Sequence, residues 1–570
     1  MYLNLTQTPF SMNGSYFAIS YYPENREQFS KGIYLRTVHY SSDFPYVCRL
    51  IPMSGGRELA FSYIAEPAEL QLVTEKGTIY VCFGDERTIL FFTASKELSM
   101  RFDFMSEHSS FDFAYELPAE GKSVYMLNCL KNNGKYLADP LKGELIVDQN
   151  WAVRRSEHLY LDIRPENDQF LFSLTEIDGE WDGKNVEWEY DKAKEKIEKD
   201  FYAFYNSMPE VPKEYEEGRK IAAYVNWSGF VNVSGNLTRK AMLMSKNWMT
   251  KIWSWDHCFN AICLSYSDPK AAWDQFMLLF DYQHATGQLP DCVMDSYITW
   301  NFCKPPIHGW ALAKMMKHMT LTNEQVCEAY EKLSRWTKWW FQYRDWNHNG
   351  ICEYAHGNDS GWDNSTAFAE LPLIETPDLS AFLVLQAEVL EELAERLGRC
   401  EEAESWHSVS ENTLEKMLEY CFDKDGFPLS RRALTGEIVE NKSLIVYMPI
   451  ILGKRLPEKI RSNMVNKLKS EGFLTEWGLA TESVNSMQYK ADGYWRGPIW
   501  APSTMLLLDG LCDCGETELV KNVAQSFAMM VLKSGCAENF NALTGEGLRD
   551  RAYTWTSSAF LVMSHEYLLV

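Results

Sequence analysis

The chain has 570 residues, a formal net charge of -24 and an apolar fraction of 46%. This length accommodates two or three domains with sizeable hydrophobic cores. The acidic balance argues against nucleic acid or an anionic membrane as a partner, because both attract clustered Lys and Arg. The aromatic fraction is high at 14%, with 20 Trp, so aromatic rings either enlarge the core or line a binding site.

The cysteine pattern and the N-terminus predict a cytoplasmic protein without a membrane span. The 14 cysteines are scattered, and the closest pair, Cys512 and Cys514, fits neither a redox pair nor a zinc site. Residues 1–14 lack the basic and apolar parts of a signal peptide, and no run reaches the roughly 18 apolar residues of a membrane helix. Reduced, buried thiols are typical of the cytoplasm. The oligomeric state is not indicated by the sequence.

Residues 1–185 are predicted to form a β-sandwich. Short β-rich runs span Thr78–Phe83 and Thr88–Thr93. In His158–Ile163 every second residue is apolar, which predicts a strand with one buried face. Many short strands separated by polar turns are typical of two packed antiparallel sheets.

Residues 186–215 are predicted to be a helical linker, and residues 216–570 an all-helical domain. The linker is rich in charged residues, and Pro209 and Pro212 interrupt its helical pattern. The domain that follows has room for about twelve helices, at roughly 30 residues for each helix and its loop. Twelve helices form either six hairpins in a ring or an irregular bundle, and periodicity alone does not distinguish the two.

Two helices in this domain have clear predicted boundaries. Apolar residues keep to one stripe from Leu379 to Leu397, after an N-cap at Thr376 and a proline at the first helical position. Gly398 is expected to end this helix. A second helix is predicted over Pro269–Thr286.

Four loop-like segments between the predicted helices are rich in Trp, Gly and acidic residues. Loops on a rigid scaffold are the usual place of catalytic residues. Indole faces stack on the C–H groups of sugar rings, and carboxylates accept hydrogen bonds from sugar hydroxyls. The candidate substrate-binding residues are Trp253, Trp255, Asp256, His257, Gln288, Asp291, Asp359, Trp362, Tyr494, Trp495, Arg496, Trp500 and Trp555.

Each segment also has a purely structural interpretation. Asp256 could cap the start of a core helix, and residues 287–291 could only end a helix with a turn. Residues 494–500 could form a corner of the core, and Glu538 could lie in a surface loop. Residues 358–365 are the hardest to explain in this way, because a turn rarely needs Trp between Gly and Asp.

Two carboxyl groups in an aromatic cleft are the general chemistry of glycoside hydrolysis. Asp363 follows Trp362, so its carboxyl would be desolvated and its pKa raised, as a general acid requires. Glu538 follows a run of small residues, which suits a close-packed loop. From the residues alone, Asp256, Asp359, Asp363 and Glu538 all remain candidates.

The order of the motifs resembles glycoside hydrolase family 63, with trehalases as more distant relatives. The resemblance implies an (α/α)6 barrel after an accessory β-sandwich, and inversion at the anomeric carbon. It also implies Asp363 as general acid and Glu538 as general base. Two positions depart from the family: Asp359, where Glu or another residue is common, and Ala537, where Tyr or Trp is usual. The matching stretches are WSWDHCFNA (253–261), YQHATGQLP (282–290), KPPIHGWAL (304–312), DSGWDNS (359–365), YWRGPIW (494–500) and AENFNALTGEG (537–547).

Residues 345–353 follow the pattern D-x-N-x-N-G-x-x-E, which resembles a calcium loop that some relatives possess. A complete EF-hand needs Glu at its twelfth position, where His356 stands, so a simple turn between helices is the alternative. A bound Ca²⁺ would be structural, and the chemistry itself needs no cofactor. The candidate ligands are Asp345, Asn347, Asn349 and Glu353.

The expected function is an inverting, exo-acting glycoside hydrolase that uses water to cleave a small α-glucoside. The expected partner is therefore a small carbohydrate. Mannosylglycerate or glucosylglycerate hydrolysis and a trehalase-like activity are alternatives within the same chemistry. An inverting disaccharide phosphorylase and a non-catalytic carbohydrate-binding protein are alternatives of other classes.

Overall fold

The computed structural model of the protein describes residues 1–26, 29–39, 44–119, 122–184, 186–370 and 373–569. The chain divides into two compact units. The predicted domain boundary at residue 185 lies outside the described residues. The first unit contains Met1–Ser207, Ala223–Asn232 and Ser245–Thr250, and the second contains Met208–Ala222, Val233–Met244 and Lys251–Val570.

The first unit is built from antiparallel sheets. Its strands are β1 Phe17–Tyr22, β2 Gly32–Thr37, β3 Tyr46–Ser54, β4 Arg57–Glu58, β5 Ser62–Ala65, β6 Leu70–Thr74, β7 Gly77–Asp85, β8 Thr88–Thr93, β9 Ser99–Asp103, β10 Phe113–Ala119, β11 Lys122–Cys129, β12 Gly134–Lys142, β13 Glu144–Ala152, β14 Arg155–Arg164 and β15 Phe170–Glu176. One sheet has the order β1-β2-β3-β9-β14-β13, with β4 paired to β3. The other has the order β10-β11-β12-β15-β8-β7-β6-β5.

Alternating apolar residues form the core of this unit. Leu159 and Ile163 of β14 are fully buried, as the period of two in the sequence predicts. Phe102 of β9 contacts Phe91 and Phe172 of the other sheet, and both ring centroids lie 4.8 Å from that of Phe102. The two sheets therefore pack against each other through their apolar faces.

The predicted linker contains one helix, α1, over Tyr190–Ser207. Tyr190 and Ala193 pack with Cys82 and Leu90 of the sheet that contains β7 and β8. Because the apolar positions of this charged helix cover the sheet, α1 belongs to the first compact unit, which extends to Ser207 in this part of the chain.

The second unit is helical, and the division between the units falls within α2. The helices are α2 Glu216–Gly229, α3 Asp256–Ser265, α4 Pro269–Met277, α5 His308–Met316, α6 Asn323–Tyr343, α7 Pro377–Arg396, α8 Cys400–Tyr420, α9 Glu458–Ser470, α10 Ala501–Asp513, α11 Thr517–Ser534 and α12 Thr554–Leu568. A 3-10 segment covers Leu444–Arg455 and is kinked at Gly453.

Six helical segments contact one another in a closed succession. α3 contacts α5, α5 contacts α7, and α7 contacts the segment Leu444–Arg455. That segment contacts α10, α10 contacts α12, and α12 returns to α3. The candidate site segments lie before or within the first turns of α3, α5, α7, α10 and α12, so they gather at the N-terminal ends of this ring. Among the described residues, no helix combines the length and apolar character needed to cross a membrane.

The predicted boundaries of α7 are confirmed, whereas those of α4 are not. Thr376 is the N-cap of α7, Pro follows at the first position, and Gly398 adopts a left-handed φ of 70° after its end. The helix predicted over Pro269–Thr286 ends at Met277. The next three residues, Leu278–Phe280, are all buried. The chain continues into a 3-10 turn and leaves helical geometry at Gln283, which has a ψ of 121°. The Gln283 amide donates to the carbonyls of Gly287 and Lys332 at 2.9 and 3.0 Å, and these contacts hold the chain outside the helix.

Candidate active site

The loop that carries Asp363 is shaped by a glycine that closely approaches an indole ring. A 3-10 turn covers Gly357–Ser360, and Gly361 follows with a φ of 76°. A Cβ at Gly361 would lie 2.4 Å from the ring of Trp255. Only glycine therefore fits both the backbone conformation and the space. The close approach holds the loop that contains Asp363 against Trp255.

The carboxyl of Asp363 lies in a low-dielectric, negatively charged environment. Burial raises its pKa above the usual value, and the Asp291 carboxylate raises it further. The Lys304 ammonium, 4.0 Å from Asp363 Oδ1, opposes this rise. Asp363 is thus disposed to hold a proton at pH values where an ordinary aspartate has lost it.

Glu538 is a second carboxyl with a raised pKa, and it is more deeply buried than Asp363, which is only partly buried. Glu538 is 2% exposed and directly precedes a short hairpin, in which Asn539–Phe540 pairs with Gly547–Leu548. Its backbone N–H donates to the Asp550 carbonyl at 2.7 Å. Burial, with a further contribution from the Asp550 carboxylate, raises the pKa of Glu538 to about 7. Its Oε1 has no hydrogen-bond partner among the described residues, so this oxygen is available to a water or a ligand.

Tyr494 lies near both carboxyl groups. Burial raises the pKa of Tyr494, and the charges of Asp363 and Glu538 raise it further. Tyr494 in turn favours the ionised form of Glu538 and so lowers the pKa of that carboxyl. Tyr494 has a left-handed φ of 65°, a conformation that costs about 1 kcal/mol or more for a residue with a side chain.

Asn364 fastens the Asp363 loop to the segment that contains Tyr494. Its Oδ1 accepts the backbone N–H of Trp495 at 2.9 Å, and its amide donates to the Gly493 carbonyl at 3.0 Å. The side chain of the residue after Asp363 thereby aligns two segments that are remote in sequence.

Five of the predicted Trp residues form a compact cluster: Trp255, Trp362, Trp495, Trp500 and Trp555. Trp495 and Trp500 stack with centroids 4.1 Å apart and planes 5° apart, and Trp362 lies 4.7 Å from Trp495. Trp555 meets Trp255 and Trp500 edge-on. Each of the five is at most 3% exposed, so they form a dense wall beside the carboxyls. Trp253, which is only partly buried, retains more open ring surface.

The charges of Asp256 and Asp291 interact with Asp363, and a buried lysine accompanies them. Asp256 is the first residue of α3, and its Oδ2 has no hydrogen-bond partner among the described residues. Its pKa is raised by burial and by the charges of Asp291 and Asp363. Asp291 pairs with Lys304 at 3.1 Å. These carboxylates suit recognition of sugar hydroxyls.

Other predicted binding residues have their polar atoms engaged in structural contacts. The ring nitrogens of His257 face the carbonyls of Trp253 and Met242 at 3.2 and 2.7 Å. Asp359 accepts from the N–H groups of Cys303 and Ala355, and it pairs with Arg344 at 2.9 Å. Both residues therefore brace the loops around the site.

Arg496 and Gln288, two further predicted binding residues, make the following contacts. Arg496 donates to the side chain of Gln488 at 2.8 Å and lines a separate cavity of about 850 Å³ together with Asn441 and Glu482. Its guanidinium pairs with no carboxylate among the described residues. The backbone carbonyl of Gln288 accepts the backbone N–H of His284 at 2.9 Å.

Sequence reasoning missed several residues of the site, above all Lys304, Asp550 and Tyr553. Tyr553 is buried. Burial is the main cause of its raised pKa, and the charges of Glu538 and Asp256 raise it further. Lys304 stands immediately before two prolines that lead into α5. A lysine at the start of an apolar helix is a weak signal for burial, but it is the only indication that the sequence contains.

The candidate calcium loop is closed by its own side chains. The Asn347 and Asn349 oxygens accept the N–H groups of residues 349 and 351 at 3.0 and 2.7 Å, and both amides donate to Glu375 at 2.8 Å. Asp345 and Glu353 each retain one unpaired buried oxygen. However, no three acidic, His or Cys side chains in the described ranges are grouped to share a metal. The arrangement fits a turn that is stabilised by its own side-chain hydrogen bonds better than a calcium-binding loop. Calcium binding at this loop stays a prediction.

Comparison with known proteins identifies the family. The sequence model described as "Mannosylglycerate hydrolase MGH1-like glycoside hydrolase domain" matches residues 249–556, more than half of the chain. The chain belongs to this family of glycoside hydrolases. The matched range contains Asp363, Glu538 and the whole Trp cluster, and the resemblance to family 63 is confirmed by relatives that bear that family number.

Two curated relatives of this hydrolase are named for glycerate glycosides. Mannosylglycerate hydrolase MGH1 of Selaginella moellendorffii is 21% identical over 389 residues, which are 54% of this chain and 79% of the relative. Glucosylglycerate hydrolase of Mycolicibacterium hassiacum is 22% identical over 425 residues, which are 58% of this chain and 94% of the relative.

Solved structures share the fold. The family 63 mannosylglycerate hydrolase of Thermus thermophilus, in complex with Tris and D-glycerate, aligns with a TM-score of 0.54 and 19% identity, covering 60% of this chain and 99% of the other. A bacterial glucoamylase complexed with acarbose aligns with a TM-score of 0.62 and 11% identity, covering 98% of this chain and 94% of the other. The sheet-rich first part and helical second part of this hydrolase therefore occur together in a known fold.

Proposed function

We propose that this hydrolase is an inverting, exo-acting enzyme that cleaves a mannosyl or glucosyl glycerate, with Asp363 as general acid and Glu538 as general base. The observation that carries the proposal is that one segment, residues 493–499, is hydrogen-bonded to the loops of both acids. Asn364, which follows Asp363, bonds to Gly493 and Trp495 at 3.0 and 2.9 Å, and Ile499 pairs with Phe540, two residues after Glu538. Two acids with raised pKa values, in one site walled by Trp, have the composition that glycoside hydrolysis requires.

In the proposed reaction, Asp363 transfers its proton to the glycosidic oxygen as the bond between that oxygen and the anomeric carbon breaks. Glu538 takes a proton from a water that attacks the same carbon from the opposite face. The products are a free hexose of inverted configuration and the hydroxy acid, and one water is consumed. This geometry needs about 6.5–9.5 Å between the carboxyls, so that the water fits.

The side chains around the two carboxyls support these roles. Asp256 and Asp291 offer carboxylate oxygens to sugar hydroxyls, and Trp253 offers a partly open ring. The closed succession of six helical segments agrees with the (α/α)6 barrel that the family resemblance implies. We infer that the barrel presents the acid and the base from loops at one end.

The glycerate aglycone is chosen over a neutral sugar because both curated relatives named above act on glycerate glycosides. The Thermus relative was solved with D-glycerate, and another structure of it contains glucose. Cleavage of a neutral small α-glucoside, which the sequence favours first, uses the same acid and base and differs only in the aglycone.

Time-resolved proton NMR tests the activity and its stereochemistry together. The substrates are mannosylglycerate, glucosylglycerate, kojibiose, nigerose, maltose, isomaltose and trehalose. We expect the first sugar released from an α-linked glycerate glycoside to be the β-anomer. Initial release of the α-anomer would refute the proposed roles of Asp363 and Glu538.

The same panel separates the other functions. Turnover of a neutral disaccharide alone would assign an α-glucosidase or trehalase-like activity. Turnover only in the presence of phosphate would assign a phosphorylase. Saturable binding of a sugar without release of product over hours would assign a binding protein.

A further inference from the structure

Lys304 is a buried cation in the middle of the acidic site. It is 5% exposed, and its position is set by the two prolines that follow it and by the start of α5 at His308. A buried ammonium is costly unless it is paired and hydrogen-bonded. Lys304 satisfies this condition entirely with groups of the active site.

The contacts of Lys304 join three parts of the site. Its Nζ lies 3.1 Å from Asp291 Oδ1 and 4.0 Å from Asp363 Oδ1. It donates to the Asn358 carbonyl at 2.8 Å and also contacts the Asn358 side-chain oxygen. Asn358 belongs to the 3-10 turn before Asp363, so one side chain holds the acid loop by its backbone and approaches its carboxyl.

The charges that face Asp363 are otherwise acidic or exposed. Asp291 and Asp256 are the carboxylates that interact with Asp363, and Tyr494 is the neighbouring phenol. His356 is the other basic group that acts on Asp363, and it is exposed to solvent. Lys304 is the buried positive charge of this group.

We propose that Lys304 is a positioning residue for the general acid, which fixes the Asp363 loop through Asn358 and balances the three carboxylates Asp256, Asp291 and Asp363. This inference rests on the proposed function, since it takes Asp363 as the proton donor. Lys304 itself is not the donor, because its ammonium is occupied by Asp291 and Asn358.

The charge balance has a direct chemical consequence. An opposite charge within about 4–6 Å lowers a carboxyl pKa by roughly 1–3 units. Without Lys304, Asp363 would hold its proton more tightly and become a weaker acid toward the leaving oxygen. Asp256, whose pKa Lys304 also lowers, would hold a proton more readily and become a poorer acceptor for sugar hydroxyls.

The test compares Lys304→Met, Lys304→Arg and the matched control Lys314→Met. Lys314 is also buried, but the two acids that it pairs with are Asp509 and Glu566 instead of the carboxyls around Asp363. The pH dependence of carbodiimide labelling of Asp363, read by peptide mass spectrometry, reports its titration without any turnover. The pH profile of kcat/KM is measured in parallel, and the Asp363 limb is identified as the one that Asp363→Asn removes.

We expect Lys304→Met to move the Asp363 titration upward by about one pH unit or more, with a fall in kcat. Lys304→Arg should keep the titration near its wild-type position, and Lys314→Met should not move it. An unmoved titration in Lys304→Met, even with lost activity, would overturn the proposal. If the wild type hydrolyses no glycoside, the proposed function fails, while the labelling still decides whether Lys304 balances Asp363.

Discussion

The roles of Asp363 and Glu538 can be separated with a leaving group that needs no proton. On the natural substrate, Asp363→Asn and Glu538→Gln should each lower kcat by roughly 10²–10⁴-fold, because each removes one proton transfer. On an α-glycosyl fluoride, Asp363→Asn should recover most of its activity, whereas Glu538→Gln should not. Steady-state kinetics on both substrates measures the difference.

The Asn and Gln side chains are close in shape to the Asp and Glu side chains that they replace, so both variants should fold normally. Circular dichroism checks this. Equal losses on the two substrates in Asp363→Asn would contradict its role as proton donor. Recovery of Glu538→Gln on the fluoride would exchange the two assignments.

The pH dependence of the base follows from the burial of Glu538. Its pKa is about 7, and the base works only when ionised. In Asp363→Asn with the glycosyl fluoride, activity should therefore fall as the pH drops through about 7. Burial is the main cause of this raised pKa, and the Asp550 carboxylate adds to it.

Asp550→Asn provides the matched variant for this prediction. Removing the neighbouring negative charge should lower the pKa of Glu538 and move the midpoint of the profile to lower pH. A midpoint that stays at the wild-type position would show that Asp550 does not act on the base.

At the level of single elements, the sequence predicts best where local signals agree. The helix α7 has an N-cap, a proline, a regular apolar stripe and a terminal glycine, and its bounds agree with prediction. The strand β14 has strict alternation and one buried face. The end of α4 is missed because the apolar run through Phe280 continues the helical pattern, while the Gln283 amide bonds to the carbonyls of Gly287 and Lys332 and holds the chain outside the helix.

The loop between α6 and α7 allows a test of calcium. The oxygens of Asn347 and Asn349 already accept backbone N–H groups of the loop, so its conformation does not depend on an ion. We expect the Tm and kcat to be the same in excess EGTA and in excess calcium. A clear rise of the Tm with calcium that Glu353→Gln abolishes would instead establish a structural calcium site.

At the scale of the whole molecule, the site depends on contacts that no local pattern encodes. Asp363 and Glu538 lie in the loops before α7 and α12, which are members of the same closed succession of helices. The motifs predict both acids through the family resemblance, whereas the residues alone leave four candidates. Asp359 illustrates the limit: it stands in the same motif as Asp363, but Arg344 and two backbone N–H groups use its oxygens.

Closure of the helical ring depends on a buried charge network centred on Lys314. This residue of α5 is 3% exposed and lies 2.9 Å from both Asp509 of α10 and Glu566 of α12. Trp310 and Tyr266 donate to the same acids at 2.7 Å. Lys314→Met leaves two carboxylates without their cation. Because these carboxylates are 26% and 20% exposed, the loss should be about 1–3 kcal/mol at neutral pH.

This loss should depend on pH with a definite sign. Burial favours the protonated form of Asp509, but Lys314 outweighs it and holds the pKa of this carboxyl below its usual range. The stability that the pair contributes is therefore present above the usual aspartate pKa and is lost as the pH falls below it. The deficit of Lys314→Met should shrink from about pH 7 to about pH 4, because the abandoned Asp509 carboxyl becomes protonated. Urea unfolding, followed by the helical circular dichroism signal, measures it at both values. The exposed Lys521→Met is the control, and an equal deficit at both pH values would mean that the lysine stabilises the ring by packing instead of charge.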